Sequence, residues 1–219
     1  MLTRDSAVQE FLTSLKEVFR ATAIGSEASA AIDRIYSALQ TPGAAGSRVG
    51  KRLPVCRYLD DALATARTAS APLASIADAF AALEPSLTWQ RRPAGGPFAS
   101  DNWPEGHANA TVVGPNALEH QEDLAIGASL LAPHVRYPDH NHGPEEVYLV
   151  LSPGRFQHGE SGWFEPGPGG TLYNRPNIKH AHGLGRGAAA RLLVPLDREA
   201  RVGPVAERRA QSSLVVGRG

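Results

Sequence analysis

The sequence is poor in sulfur. Cys56 is the only cysteine among 219 residues, so no disulfide can form within the chain, and thiolate metal sites and CxxC redox motifs are excluded. An excess of either charge is also missing. Lys+Arg 22 stand against Asp+Glu 22, which argues against a broad electrostatic footprint for nucleic acid or an anionic membrane. No stretch approaches ~20 consecutive apolar residues, and Met1-Leu2-Thr3-Arg4 opens without the apolar run of a secretory signal. A cytoplasmic chain with no nucleic-acid or membrane partner is expected. No internal repeat of solenoid length is seen. Histidine is absent from the first 106 residues, and all eight copies follow, so the chemistry is expected in the C-terminal half.

What is present divides the chain by texture. Val8, Phe11, Leu12, Leu15, Val18 and Phe19 recur at spacings of three and four, which predicts a helix over 6–22 with one apolar stripe. Ser6 with Gln9 can form a capping box at its start. A second helix is expected over 27–40, with Ile32, Ile35, Tyr36 and Leu39 inward, and two more around Leu59–Leu63 and Leu73–Leu83. These stripes read as helix-to-helix or helix-to-barrel packing and carry no cofactor motif. After residue 86 short β-branched or aromatic runs alternate with Gly, Pro, Asn and Asp clusters, the signature of an all-β sandwich or barrel. Strands are expected at 87–90, 110–113, 124–131, 145–151, 162–165, 170–173, 180–184 and 191–196. The expected organisation is a helical region over 1–85, a mainly β barrel over 86–199 and a tail over 200–219.

One stretch organises the rest: Tyr137-Pro138-Asp139-His140-Asn141-His142-Gly143-Pro144-Glu145-Glu146-Val147-Tyr148. Side chains two apart in an extended chain face the same way, so His140, His142, Glu146 and Tyr148 are expected to share one cavity. Imidazole nitrogens with a carboxylate oxygen suit a divalent transition metal. More than thirty residues on, a turn at Arg175-Pro176-Asn177-Ile178-Lys179 delivers His180, and His182 has the same parity, so either can complete the set. Tyr137 has odd parity and needs a kink to reach the cavity. Glu145 is expected on the barrel exterior or against a partner. His107, His120 and His158 are expected in solvent, as are Arg136 and Lys179, while His134 is expected at the border of the site.

The spacing His-x-His-xxx-Glu, followed at a distance by His, resembles the two motifs of the cupin superfamily, whose members are double-stranded β-helix (jelly-roll) barrels with a metal in the barrel mouth. That resemblance implies His140, His142, Glu146 and His180 as the four ligands. The match is not uniform: His134 stands where cupins usually carry Gly, and Pro176-Asn177-Ile178 replaces their Pro-x-Gly step. Leu130 to Ser152, Gly162-Trp163-Phe164-Glu165-Pro166-Gly167 and Tyr173-Asn174-Arg175-Pro176-Asn177-Ile178-Lys179-His180-Ala181 together resemble the cupin-type dimethylsulfoniopropionate (DMSP) lyases. The motifs span roughly residues 124–185, and the helical half is similar in kind only. In that family the tyrosine two residues after the glutamate is the favoured base, which implies Tyr148, and a tyrosine three residues before the first histidine lines the pocket, which implies Tyr137.

The implied reaction is a β-elimination that converts the small zwitterion to dimethyl sulfide and acrylate. A base takes the proton alpha to the carboxylate, and a metal on that carboxylate stabilises the developing charge. Phenol titrates near ~10 in water, so a tyrosine base needs a nearby cation. The sulfonium favours an aromatic wall, for which Trp163, Phe164, Tyr137, Tyr173 and Trp103 are available. Nitrogen and carboxylate ligands suit Fe(II) or Zn(II) best, with Mn(II), Co(II) and Ni(II) also acceptable. A dioxygenase, an isomerase of a small carboxylate, and a non-enzymatic metal-dependent binder are the competing readings. The helical half is expected either to cap the barrel mouth or to build a homodimer interface.

Overall fold

The computed structural model describes residues 2–22, 25–92 and 95–183 in full and the backbone of 191–198. Four helices come first. They are α1 (Ser6–Ala21), α2 (Ser26–Ala38), α3 (Leu59–Ala69) and α4 (Ala71–Leu83). The stripe expected on α1 is buried throughout, from Val8 to Phe19. Its cap differs from expectation: the Asp5 carboxylate, not a Ser6–Gln9 box, accepts the amides of Ala7 and Val8 at 3.0 and 3.2 Å. An anion at this position also faces the positive end of the helix dipole. Between α2 and α3 lies the two-residue strand β1 (Ala44–Ala45), and after α4 a single helical turn, α5 (Trp103–Gly106).

The strands follow: β2 (His107–Val113), β3 (Glu119–His120), β4 (Leu124–Leu131), β5 (Arg136–His140), β6 (Glu145–Val150), β7 (Arg155–His158), β8 (Thr171–Asn174), β9 (His180–Gly183) and β10 (Arg191–Arg198). They form a seven-stranded sheet in the order β1-β3-β2-β4-β10-β6-β8 and a three-stranded sheet in the order β5-β9-β7. Every neighbouring pair is antiparallel except β2 with β3. This is a cupin β fold with helices at its N-terminal side. Two expected strands are reduced to isolated bridges, Thr88 with Lys51 and Gln90 with Asn109 in one and Phe164 with Phe156 in the other, while β5 and β7 were not among the expected strands. The tail over 200–219 lies outside the described residues.

Parity sorts β6 between two cores. Val147, Leu149 and Leu151 join the large core that the helices share with the seven-stranded sheet. Tyr148 and Val150 turn the other way, into a small cluster with Phe156 and Leu172 between the sheets. Glu145 does lie on the outer face of β6, but that face is covered. Arg34 of α2 donates two hydrogen bonds to its carboxylate, at 2.9 and 2.6 Å, and the Tyr173 hydroxyl donates a third at 3.1 Å. Strand β4 is buried on both faces. It approaches β2 closely at Gly127, where a Cβ would lie 2.1 Å from the Ala110 carbonyl oxygen.

Candidate metal centre and active site

His140 ends β5, His142 follows in the turn, and Glu146 and Tyr148 come from β6 in the opposite sheet. The four residues therefore converge from two sheets, with the turn over 141–144 between them. Strand β9 adds His180, in register with His140. The turn before β9 is also tied to the first motif, because the Asn177 amide donates to the His142 carbonyl at 2.8 Å. Asn177 adopts φ 61° here, a left-handed conformation that asparagine tolerates.

The ring nitrogens are oriented in the same way three times. Nδ1 of His140 lies 2.9 Å from the Pro138 carbonyl, that of His142 3.0 Å from Pro144, and that of His180 3.0 Å from Ile178. A carbonyl can only accept, so each Nδ1 carries a proton, and in the neutral ring each Nε2 carries a lone pair. Ligand atoms of the three rings lie within 4.8 Å of one another. The Glu146 Oε2 atom is 3.4 Å from His142 Nε2 and 3.3 Å from His180 Nε2. His180 Nε2 is buried and has no hydrogen-bond partner. A lone pair there faces a carboxylate oxygen, an arrangement that a cation between them stabilises. This donor set can hold a divalent transition metal ion.

The electrostatics agree. Burial raises the Glu146 pKa, but His142 and His180 close beside it outweigh this and hold the carboxyl below its usual range. Asn174, its cross-strand neighbour on β8, donates to the same oxygen at 3.0 Å. His140 is pushed down to about 4, by burial first and then by His180, which keeps its lone pair free of a proton at neutral pH. His142 is raised, chiefly by its bond to Glu146.

His182 belongs elsewhere. Its ring stacks on Tyr137 with centroids 4.4 Å apart and meets the Tyr148 ring at 5.8 Å. Equal parity puts both histidines inward, and their position along β9 separates them: His180 pairs with His140, His182 with Tyr137. Tyr137 reaches the cavity through the kink its parity required. Four residues of β5, Tyr137 to His140, oppose three of β9, His180 to His182, a bulge in the stretch that holds Pro138, which lacks an amide to bond. The cavity measures about 270 Å³ and is lined by Tyr137, His140, His142, Glu146, Tyr148 and His182 together with residues of β2 and β4. That is at the small end of ligand sites, which suits a small substrate.

Other expectations change. His107 is buried, not solvated. It stacks on Trp103 at 4.0 Å, donates from Nδ1 to the Trp103 carbonyl and accepts the Arg92 amide at Nε2. Burial lowers its pKa, and it is a neutral packing group. His134 sits on an exposed turn at φ 62°, away from the cavity lining. Of the aromatics available for a sulfonium, only Tyr137 lines the cavity among the described residues. Trp103 packs on His107, Tyr173 bonds Glu145, Phe164 meets His158, and Trp163 lies between Arg136 and Arg155. Arg136 is only part-exposed and bonds Asp139, which Lys179 also approaches at 3.7 Å. Arg92, Asn109 and Ser129 line the cavity without standing in any motif that sequence alone would single out, and Asn174, which stands in the second motif run, supports it in a role that the run did not suggest.

Comparison with known proteins matches this architecture. The family model for dimethylsulfoniopropionate lyase matches residues 27–188. The chain belongs to this family. Among solved structures, the DMSP lyase DddQ from Ruegeria pomeroyi DSS-3 superposes with TM-score 0.67 at 18% identity, covering 91% of this chain and 95% of that one. A structure from a study of the DMSP lyases RdDddP and RnDddQII gives TM-score 0.65 at 21% identity over 90% and 95%. A search of curated proteins by sequence found no match. In this member of the DMSP lyase family the matched span takes in α3, α4, nearly all of α2 and the strands from β1 to β9, so these helices belong to the matched region together with the barrel strands, while α1 and β10 lie outside it.

Proposed function

We propose that this chain is a metal-dependent lyase that cleaves DMSP to dimethyl sulfide and acrylate. Family membership supports the substrate. The observation that carries the mechanism is the unpartnered His180 Nε2 facing Glu146 inside a ring of Nδ1-anchored histidines. His140, His142, Glu146 and His180 would hold the ion, with Fe(II) or Zn(II) favoured for this mixture of nitrogen and oxygen donors and Mn(II), Co(II) or Ni(II) also suited. When bound, the metal supplies Lewis acidity at the substrate carboxylate.

The chain's own residues do the rest. Tyr148, held against the rings of His180 and His182, takes the proton alpha to the carboxylate. As that C–H bond breaks, its electron pair forms the carbon–carbon double bond of acrylate. The C–S bond breaks with its pair on sulfur, and neutral dimethyl sulfide leaves. Tyr148 returns its proton to water before the next turnover. Tyr137, fixed by the stack on His182, offers the sulfonium a π face, a contact contributing roughly 0.5–2 kcal/mol.

The test is headspace detection of dimethyl sulfide from the purified chain loaded with each candidate metal. Sulfide is expected from the wild type, while Tyr148→Phe should lose at least about 10²-fold in turnover with unchanged metal content. No sulfide with any of these metals, or oxygen uptake in its place, would sink the lyase reading. Full activity in the Tyr148→Phe variant would give the base to another group.

A further inference from the structure

Beside the metal cavity runs a second, polar depression of about 390 Å³, and the two share Arg92, Asn109, Thr111 and Tyr137 as common wall. Arg92 stands at their junction. Its main chain is fixed at two points, since Gln90 and Asn109 exchange amide bonds at 2.8 Å and the Arg92 amide donates to buried His107 at 2.8 Å. The side chain is treated differently. Among the described arginine side chains, all but Arg92 and Arg175 make an ion pair, hydrogen bond or ring contact; adjacent Arg91 is engaged by Glu105. Arg92 thus presents a guanidinium with no protein partner among these residues, on a fixed stretch of backbone, at the mouth of the cavity. Its charge is felt by His107, His140 and His142. Glu146, the carboxylate of the cavity, is already taken by His142, His180 and Asn174 and is not available to pair with it. The natural complement of a free guanidinium is a planar carboxylate held through two parallel N–H bonds.

We propose that Arg92 is the residue by which this site selects a carboxylate-bearing substrate. Resting on the lyase reading above, it takes the end of DMSP that carries the carboxylate and leaves the sulfonium for the Tyr137 wall. The polar depression is then the approach along which the anionic end is drawn in. Neutral or esterified analogues lack the group Arg92 pairs with and are discriminated against by the loss of a charge-assisted bond.

Arg92→Met and Arg92→Lys in the metal-loaded full chain test this. Binding of acrylate, and of its neutral isostere acrylamide, would be followed by ligand-observed NMR titration. Arg92→Met should weaken acrylate about tenfold to hundredfold, as loss of one charge-assisted contact implies, and leave acrylamide unchanged. Arg92→Lys should recover part of the loss. With DMSP, KM should rise while kcat stays near that of the wild type. Equal weakening of both probes, unchanged acrylate affinity, or loss of bound metal in Arg92→Met would overturn the proposal. If the wild type releases no dimethyl sulfide, the lyase reading fails, yet the acrylate and acrylamide titrations still decide the role of Arg92.

Discussion

Asn174 donates one hydrogen bond to Glu146, at 3.0 Å, and its own Oδ1 is buried without a partner. Reversing the amide would set two oxygens against each other, so the orientation is fixed by Glu146 and the orphan oxygen is the consequence. Asn174 therefore holds the carboxylate oxygen that lies between His142 and His180. Asn174→Leu keeps the approximate volume and removes the bond, and metal affinity measured by chelator competition should fall about 10- to 100-fold. Unchanged affinity would show that β6 and the histidines position Glu146 unaided. Residues of this kind mark the limit of legibility at this scale. His140, His142, Glu146 and Tyr148 were expected together from their spacing and do meet, but one strand period governs only Glu146 and Tyr148; the turn over 141–144 brings the histidines to them from the other sheet. Asn174, Arg92 and buried His107 could not be placed in this way, because each acquires its role from folded surroundings that spacing does not report: Glu146 on the neighbouring strand, the cavity mouth, and the Trp103 ring with the Arg92 amide. Nothing in the residues flanking His107 distinguishes it from solvated His120.

The helices were legible because their stripes repeat over several turns, and α1, α2 and β4 lie within two residues of their expected bounds. Short strands were harder. β5 contains Pro138 and bulges there, and β7 has four residues, so neither shows a run of alternation. The irregularity of β5 is functional, since a regular strand would turn Tyr137 away from the face that carries His140. The joints between elements were also hidden. Arg4, just before α1, donates at 2.6 and 2.9 Å to Glu119 of β3, and Glu119 also accepts the Gly43 amide beside β1. Both side chains are buried, at 9% and 4% exposure, so removing one partner strands a charge. Burial raises the Glu119 pKa, but the Arg4 and Gly43 bonds outweigh it and hold the carboxyl low. Arg4→Met should destabilise the chain by about 3–5 kcal/mol in urea unfolding, whereas Arg4→Met with Glu119→Gln should recover most of the loss. A double variant as unstable as the single one would mean that Arg4 acts through packing rather than through the pair.

For the whole molecule, folding and the metal centre are linked through protons. His140 binds a proton less readily folded than unfolded, with its pKa at about 4 against 6.5, so its contribution to stability is lost as pH falls through that interval. His142 works the other way. Raised by Glu146, it contributes stability that is complete below the unfolded value and lost as pH rises through the folded one. In the metal-free chain the two contributions oppose each other, and the carboxylate between them stays ionised throughout. A divalent ion at this site would bind the deprotonated rings only, so it would compete with the proton on His142 and stabilise more as pH rises. At a free concentration 100 times its Kd it adds about 2.7 kcal/mol, which for a chain of this size is roughly 5–11 °C in Tm. The helical layer and the barrel share one core, so this increment should appear in a single cooperative transition and not in the barrel alone. Calorimetric scans with Zn(II) and with excess chelator, at pH 8 and pH 6, should show the chelator lowering Tm at both and by more at pH 8. A larger effect at pH 6, or none at either, would mean that the four side chains do not act together as a metal site. A transition that splits on chelation would mean that the helices fold independently of the centre.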